Sequence, residues 1–205
     1  MKDHTLVTIS RQYGSGGKEI AELVAKKMQV RCYDRQILYL AAEKMGNSDL
    51  DIESILEMAY KMPENNMGGF MDGINSLGYE SIPSYNKMYK EQAKAILEIA
   101  EKEDAVFLGR CADVVLKDYP RCYHFFIYAD EEFRQNRAKE IYGKSIKELD
   151  KENKTRERYY NYYTGQKWGD PVNYDLMINT SRFSVSKAAD LIIDYIERMQ
   201  SVSEE

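Results

Sequence analysis

Histidine and cysteine are scarce in this sequence, and their scarcity removes whole classes of chemistry. Only His4 and His124 occur among 205 residues, so a zinc site or a histidine-dependent nucleophilic triad lacks its side chains. Cys32, Cys111 and Cys122 are odd in number and far apart. They offer neither paired metal spacing nor a disulfide framework, and read as buried, reduced thiols. No run approaches the roughly 20 apolar residues that a membrane-spanning helix requires. The segment Met1–Thr5 leads straight into an apolar strand without the hydrophobic region of a signal peptide. These absences predict a cytoplasmic protein with no membrane partner. A net charge of −5 lacks the basic footprint of general nucleic-acid binding. It leaves room for one basic pocket that faces a phosphorylated small molecule.

What is present is the composition of a globular domain, 43% hydrophobic and 31% charged. Five short runs read as strands: Leu6–Ser10, Val30–Tyr33, Ala105–Leu108, Tyr123–Ala129 and Leu176–Ile178. Helical spacing between them predicts helices over 18–28, from Ile37 to near Gly46, and over 51–62, 87–102, 130–141, 146–161 and 184–199. Asn47-Ser48-Asp49 reads as the turn and cap before the third helix. Alternating strands and helices predict an α/β fold, a mainly parallel five-stranded sheet covered on both faces, in one domain over residues 1–205. Residues 63–85 break the pattern with Pro63, Gly68, Gly69, Gly73, Gly78 and Pro83. A loop of that length inside a compact domain is functional or disordered.

The strongest local signal is Thr8-Ile9-Ser10-Arg11-Gln12-Tyr13-Gly14-Ser15-Gly16-Gly17-Lys18, which joins the first strand to the first helix. Phosphate oxygens need convergent N–H donors with no side chains in the way. Glycines allow that path, and a helix N-terminus adds favourable electrostatics. Gly14, Ser15, Gly16, Gly17, Lys18 and Glu19 are therefore the candidate residues for ATP phosphates, with Lys18 placed to reach the outer phosphates. In the pattern GxxxxGK[ST], however, Gln12 stands for the first glycine and Glu19 for the magnesium-binding hydroxyl. Ser10 or Ser15 is then a candidate for holding Mg²⁺, or water completes its shell.

Further blocks make the chain similar to a known family. Ile9–Gly17, Tyr33-Asp34-Arg35, Gly109-Arg110-Cys111-Ala112-Asp113, Tyr159–Gly165, Trp168-Gly169-Asp170, Asn173–Leu176 and Ile178–Ser181 fall in order along almost the whole chain. Together they resemble the cytidylate kinase-like family. The resemblance implies a P-loop nucleoside-monophosphate-kinase fold, a three-layer α/β/α sandwich with a donor site, an acceptor site and a helical lid over about 140–170. It places an acceptor-side insert at about 63–85, where Met62, Met67, Phe70, Met71 and Tyr79 lie.

What the resemblance implies for individual residues can be set beside their positions. Arg110 follows an apolar strand, and its block is similar to the Gly-Arg-Asp segment whose arginine holds the acceptor monophosphate; Cys111 stands in place of that aspartate. A guanidinium fork suits a phosphate dianion. Asp34, Arg35, Asp113 and Asp175 complete the candidate acceptor set, although Asp34 could equally cap the helix that follows. Arg134, Arg137, Arg156 and Arg158 lie in or before the lid. Of these, Arg137 and Arg158 join Lys18 as the candidate catalytic residues, closing over a loose transition state. The alternative for them is a solvated, salt-bridged helix face. The tyrosine run at 159–163 reads as packing between lid and core, as stacking surface, or as a patch for self-association into a homodimer. The expected activity is phosphoryl transfer from ATP, with Mg²⁺, to a nucleoside monophosphate such as CMP or dCMP. The rivals are a nucleotide-binding module with little turnover, motivated by Gln12, Glu19 and Cys111, and a kinase for a different acceptor.

Overall fold

The computed structural model describes residues 4–60 and 84–202. Five strands, β1 (Leu6–Arg11), β2 (Arg31–Tyr33), β3 (Ala105–Leu108), β4 (Cys122–Tyr128) and β5 (Leu176–Asn179), form one sheet. Their order is β2-β3-β1-β4-β5, and every neighbouring pair is parallel. Eight α-helices accompany them among the described residues. These are α1 (Gly17–Met28), α2 (Gln36–Lys44), α3 (Ile52–Tyr60), α4 (Ser84–Ala100), α5 (Ala112–Val115), α6 (Glu131–Arg137), α7 (Ile146–Thr164) and α8 (Val185–Val202).

Alternation along the strands builds the three layers. Val7, Ile9, Val106, Leu108, Phe125 and Ile127 point to one face, where they meet Ile20, Ala21 and Val24 of α1 and Ala188, Ala189 and Ile192 of α8. Leu6, Ala105 and Phe107 point to the other, against Ile37 of α2, Ile96 and Ala100 of α4, and Ala112 of α5. A parallel central strand buried on both faces needs apolar residues throughout, which is how β3 reads. A smaller cluster ties α2, α3 and α4 through Leu38, Ala41, Ile55, Ala59 and Met88. An aromatic cluster of Tyr159, Tyr160 and Tyr163, with Tyr60, Tyr89 and Trp168 against it, holds α7 to α3 and α4. Tyr89 and Tyr163 stack at 4.3 Å. Packing is thus the role the tyrosine run has in this chain.

Several boundaries differ from the sequence reading for local reasons. Asp51, rather than Asn47-Ser48-Asp49, caps α3: its carboxylate accepts from the Ser54 amide at 2.9 Å and the Ser54 hydroxyl at 3.2 Å. A π-helical turn, Ala138–Tyr142, extends α6 by one wider turn. Helix α7 opens with a capping box between Ser145 and Glu148 and continues to Thr164, so the tyrosine run lies inside it. The irregular segment read at 63–85 lies outside the described residues, except that Ser84 and Tyr85 begin α4. Among the described residues no helix is long and apolar enough to cross a membrane.

The strand order places β1 at the point where the chain turns to opposite sides of the sheet, towards β3 on one and β4 on the other. Open α/β sheets bind ligands at the carboxyl ends of strands at such a point. Phe125, fully buried and 5.7 Å edge-to-face from Tyr195, holds α8 to this framework. Replacing it by alanine should cost about 3–5 kcal/mol of unfolding free energy, measured by urea titration. A loss below about 1 kcal/mol would show that the site can collapse around the deletion.

Candidate active site

The chain leaves β1 at Arg11 and enters α1 at Gly17 through a tight loop in which Gly14 and Gly16 adopt φ of +83° and +81°. Gly16 occupies the cap position of α1, where a left-handed residue is strained unless it is glycine. Gln12, in the place of the first glycine, has a structural task. Its amide donates to the Ile127 carbonyl at 2.9 Å, and its side-chain oxygen accepts from the Ala129 amide at 3.2 Å. The loop is thereby stitched to the end of β4. Ser15 is fully buried and its hydroxyl is already used: it donates to the Gln12 carbonyl at 2.8 Å and accepts from the Gly17 amide at 3.3 Å. Ser15 is accordingly a brace of the loop.

A cavity of about 220 Å³ opens over this loop, lined by Gln12, Gly14, Gly16, Gly17, Lys18, Arg11 and Arg156 among others. Lys18 is exposed beside it, 3.7 Å from Glu22. Glu19 turns the other way and binds Arg137 Nη2 at 2.5 Å, with the Tyr142 hydroxyl donating to it at 3.4 Å. Its second oxygen, Oε2, is buried without a hydrogen-bond partner. Among the described residues no group of three or more His, Cys, Asp or Glu stands ready to hold a metal ion. A cation that arrives on nucleotide phosphates needs fewer protein ligands, and hard cations take carboxylate oxygen. The orphaned Glu19 Oε2 on the first turn after the loop fits that demand. Ser10 is buried and lines a second cavity, on the Arg110 side.

That second cavity, about 30 Å³, is lined by Arg110, Arg11, Arg156, Tyr60, Tyr159 and Ser10 among others. Arg110 is presented by unusual backbone: Gly109, Arg110 and Cys111 have φ of +72°, +62° and +55°. A left-handed non-glycine residue costs roughly 1–2 kcal/mol, and such strain gathers at functional sites. Arg110 Nη1 donates to the Tyr60 hydroxyl at 3.1 Å, and Nη2 lies 3.8 Å from Asp34 Oδ1. Burial lowers the Arg110 pKa, but Tyr60 and Asp34 outweigh it and leave the guanidinium above its usual value. Arg156 of α7 reaches the same place, donating to the Arg11 carbonyl at 3.1 Å and lying 5.1 Å over the Tyr13 ring. Burial lowers its pKa. Arg11 Nη2 is 3.9 Å from the same Asp34 oxygen, and burial followed by Arg156 pushes its pKa down. Arg11 and Arg110 thus share one nearby carboxylate, and Arg156 joins them through the Arg11 carbonyl. Such a cluster is stabilised when an anion enters.

The structure brings some sequence candidates together here and sends others elsewhere. Gly14, Gly16, Gly17, Lys18 and Arg35 line the loop cavity, and Asp34 lies between Arg11 and Arg110. Asp34 does not cap α2, since Arg35 holds that position and the Gln36 side chain accepts from the Asp34 amide at 3.0 Å. Arg137 lies near the loop but is held by Glu19. Arg158 is exposed and lines neither cavity. Asp175 is not beside the acceptor cavity: it precedes β5 at that strand's amino end, and its carboxylate accepts from the His124 amide at 2.6 Å. Asp113 is buried and accepts from the Tyr160 hydroxyl at 2.8 Å, so it braces the aromatic cluster instead of facing the cavity.

Arg11 and Tyr60 were absent from the sequence candidates for the site, and Arg156, named among the lid arginines, was passed over for Arg137 and Arg158. Both arginines nonetheless carried a signal. Arg11 is the one charge on an otherwise uncharged strand, at its carboxyl end. Arg156 lies three and four residues before the buried Tyr159 and Tyr160, on the helix face that Arg158 leaves. Tyr60 precedes the segment outside the described residues, and no local pattern marks it.

Comparison with known proteins agrees with this geometry. The description "cytidylate kinase-like family" belongs to the family model that matches residues 6–182. A cytidylate kinase from Archaeoglobus fulgidus is 25% identical over 201 residues, covering 93% of this chain and 94% of the relative. Among solved structures, an uncharacterized protein from Eubacterium ventriosum superposes with a TM-score of 0.69 at 26% identity, over 95% of this chain and 99% of that one. A gluconokinase from Sinorhizobium meliloti gives 0.56 at 12% identity, covering 97% and 95%. A shikimate kinase from Aquifex aeolicus gives 0.51 at 14%, covering 96% and 98%. At these last two identities the likeness is one of fold.

Asp113 gives the site's brace a pH signature. Burial raises its carboxyl to about 6 against the opposing Tyr160 hydrogen bond, from an unperturbed 3.8. Between those values the folded chain holds a proton that the unfolded chain has released. Stability should therefore fall by roughly 3 kcal/mol as pH rises from about 4 to about 6, then level off. Urea unfolding across that range should show the slope in the native protein and lose it in Asp113→Asn. An unchanged slope would assign the loss to other groups.

Proposed function

The chain belongs to the cytidylate kinase-like family, and on that premise we propose that it transfers a phosphoryl group from ATP to a nucleoside monophosphate, CMP or dCMP first among them. The observation that carries the proposal is the pair of adjoining cavities at the carboxyl edge of the sheet. One is walled by a glycine loop with Lys18, the other by the half-buried Arg11, Arg110 and Arg156. The loop amides and Lys18 hold the donor phosphates, and Arg110 with Arg156 holds the acceptor phosphate. The Glu19 carboxylate would hold Mg²⁺ brought in with the nucleotide, and the ion would supply neutralising charge on the donor phosphates. The acceptor oxygen is an ionised phosphate, so the scheme needs no covalent nucleophile on the protein and no strong base. Helix α7, which carries Arg156 and the Asn153 side chain that accepts from the Tyr13 amide at 2.6 Å, excludes water when it lies over the loop.

One observation favours a second reading. Glu19 spends one of its two oxygens on Arg137, as a nucleotide-binding module with little turnover would have it. Incubation with ATP, Mg²⁺ and a panel of nucleoside monophosphates, with ADP and nucleoside diphosphates followed, separates the two. We expect turnover with CMP or dCMP that falls by about 10²-fold or more in Lys18→Ala and in Arg110→Ala. No product with any monophosphate, while ATP still raises the melting temperature, would reject the kinase reading in favour of binding.

A further inference from the structure

We propose that Arg11 is a catalytic residue whose guanidinium spans the wall between the two cavities and contacts the phosphoryl group as it crosses. The inference rests on the function proposed above and deepens it. Among the described residues, Arg11 and Arg156 are the two that line both cavities. Arg156 comes from the helix over the site, whereas Arg11 is fixed at the end of the central strand.

The surroundings of Arg11 are shaped to hold a long side chain in one place. A Cβ added at Gly17 would stand 2.5 Å from Arg11 Cβ, and one added at Gly109 would stand 2.4 Å from Arg11 Nη1. Gly17 belongs to the donor loop, and Gly109 immediately precedes Arg110. The stem therefore runs from one glycine to the other, from the donor loop to the acceptor arginine. Its guanidinium is nevertheless poorly partnered. The contacts it has are a long hydrogen bond to the Leu108 carbonyl at 3.4 Å and Asp34 Oδ1 at 3.9 Å. A charge-assisted bond to a carboxylate normally closes to 2.7–2.9 Å. Asp34 Oδ1 is buried and makes no hydrogen bond, shared at arm's length between Arg11 and Arg110. A structural ion pair would close those gaps. An arginine kept 84% covered beside a carboxylate it does not engage, since 16% of its side chain stays accessible, is instead preorganised for an incoming anion.

The chemistry at that point is balanced without further groups. An oxygen of the acceptor phosphate forms a bond to the γ-phosphorus while the bond from that phosphorus to the β–γ bridging oxygen breaks. The electron pair stays on the β-phosphate, which leaves as ADP. Charge spreads over the three equatorial oxygens in between, midway between the cavities. A planar guanidinium there offers two donors to those oxygens and strengthens its bonds as charge accumulates.

The test uses Arg11→Met, which keeps the stem over Gly17 and Gly109, and Arg11→Lys, which keeps the charge but loses the fork. Two quantities are measured on the full chain: kcat and KM with ATP and the best acceptor, and calorimetric affinity for inorganic tripolyphosphate with Mg²⁺. We expect Arg11→Met to lose at least 10²-fold in kcat while the KM for ATP rises by no more than about 10-fold, and Arg11→Lys to lose at least 10-fold in kcat. Tripolyphosphate should bind about 10-fold more weakly to each variant than to the native protein. Native turnover with kcat kept within 3-fold in both variants would overturn the role of Arg11 and leave the kinase reading intact. If the native protein turns over no acceptor, the kinase reading fails on its own. Tripolyphosphate binding then decides for Arg11, since equal affinity in native and variant proteins rejects the anion contact. Should Arg11→Met fail to fold, Arg11→Lys is read on the same scale.

Discussion

A guanidinium moved out of water must meet an anion or lose free energy, and the carboxyl edge of this sheet gathers three of them, two facing the Asp34 carboxylate and the third bonded to the Arg11 carbonyl. Asp34 cannot neutralise Arg11, Arg110 and Arg156 together. The fold accepts that imbalance, and adds left-handed backbone at Arg110 and Cys111 to aim one of the three inward. The cost is borne by the apolar layers on either side of β1 and β3, where Val7, Ile9, Leu6 and Phe107 are buried. What the imbalance provides is a fixed field for phosphate oxygens, set before any ligand arrives.

The departures in the glycine loop make sense in the same terms. Gln12 gives up the first glycine but ties the loop to β4 through the Ile127 carbonyl and the Ala129 amide. Ser15 is held from below by Thr180, whose hydroxyl donates to its carbonyl at 2.7 Å. Glu19 replaces a hydroxyl with a carboxylate and so brings Arg137 to the mouth of the loop. The loop is thus anchored by β4, by the turn after β5 and by the helix after β4. Each anchor comes from a part of the chain more than 100 residues away.

Helix α7 connects the site to the rest of the molecule. One side of it carries Tyr159, Tyr160 and Tyr163 into the aromatic cluster, and the same side carries Arg156 and Asn153 to the loop. Packing and chemistry therefore share one helical face. Buried Asp113, accepting from Tyr160, sits where that face meets the strained turn after β3. A change that loosens the aromatic cluster would also displace Arg156 from the wall it shares with Arg11.

The strands, most helices and the phosphate loop were legible in the sequence, because each follows from near-neighbour spacing: period two, period 3.6, and glycines between an apolar strand and a helix. Arg110 was legible too, since it follows the apolar run Ala105–Leu108 and so had to emerge at the ligand-binding edge. Asp175 looked equivalent, but position along a chain does not say which end of a strand faces the crevice, and the fold put it at the amino end of β5. Arg156 rather than Arg158 faces the site because the phase of α7 is set by its buried tyrosines. Arg11 gained its place only when strand order brought β3, with Gly109, alongside β1. The sequence by itself determined the elements and the loop. Tertiary structure alone decided which charges share a buried space, because that depends on contacts between residues about 100 or more positions apart and on the low polarity their packing creates.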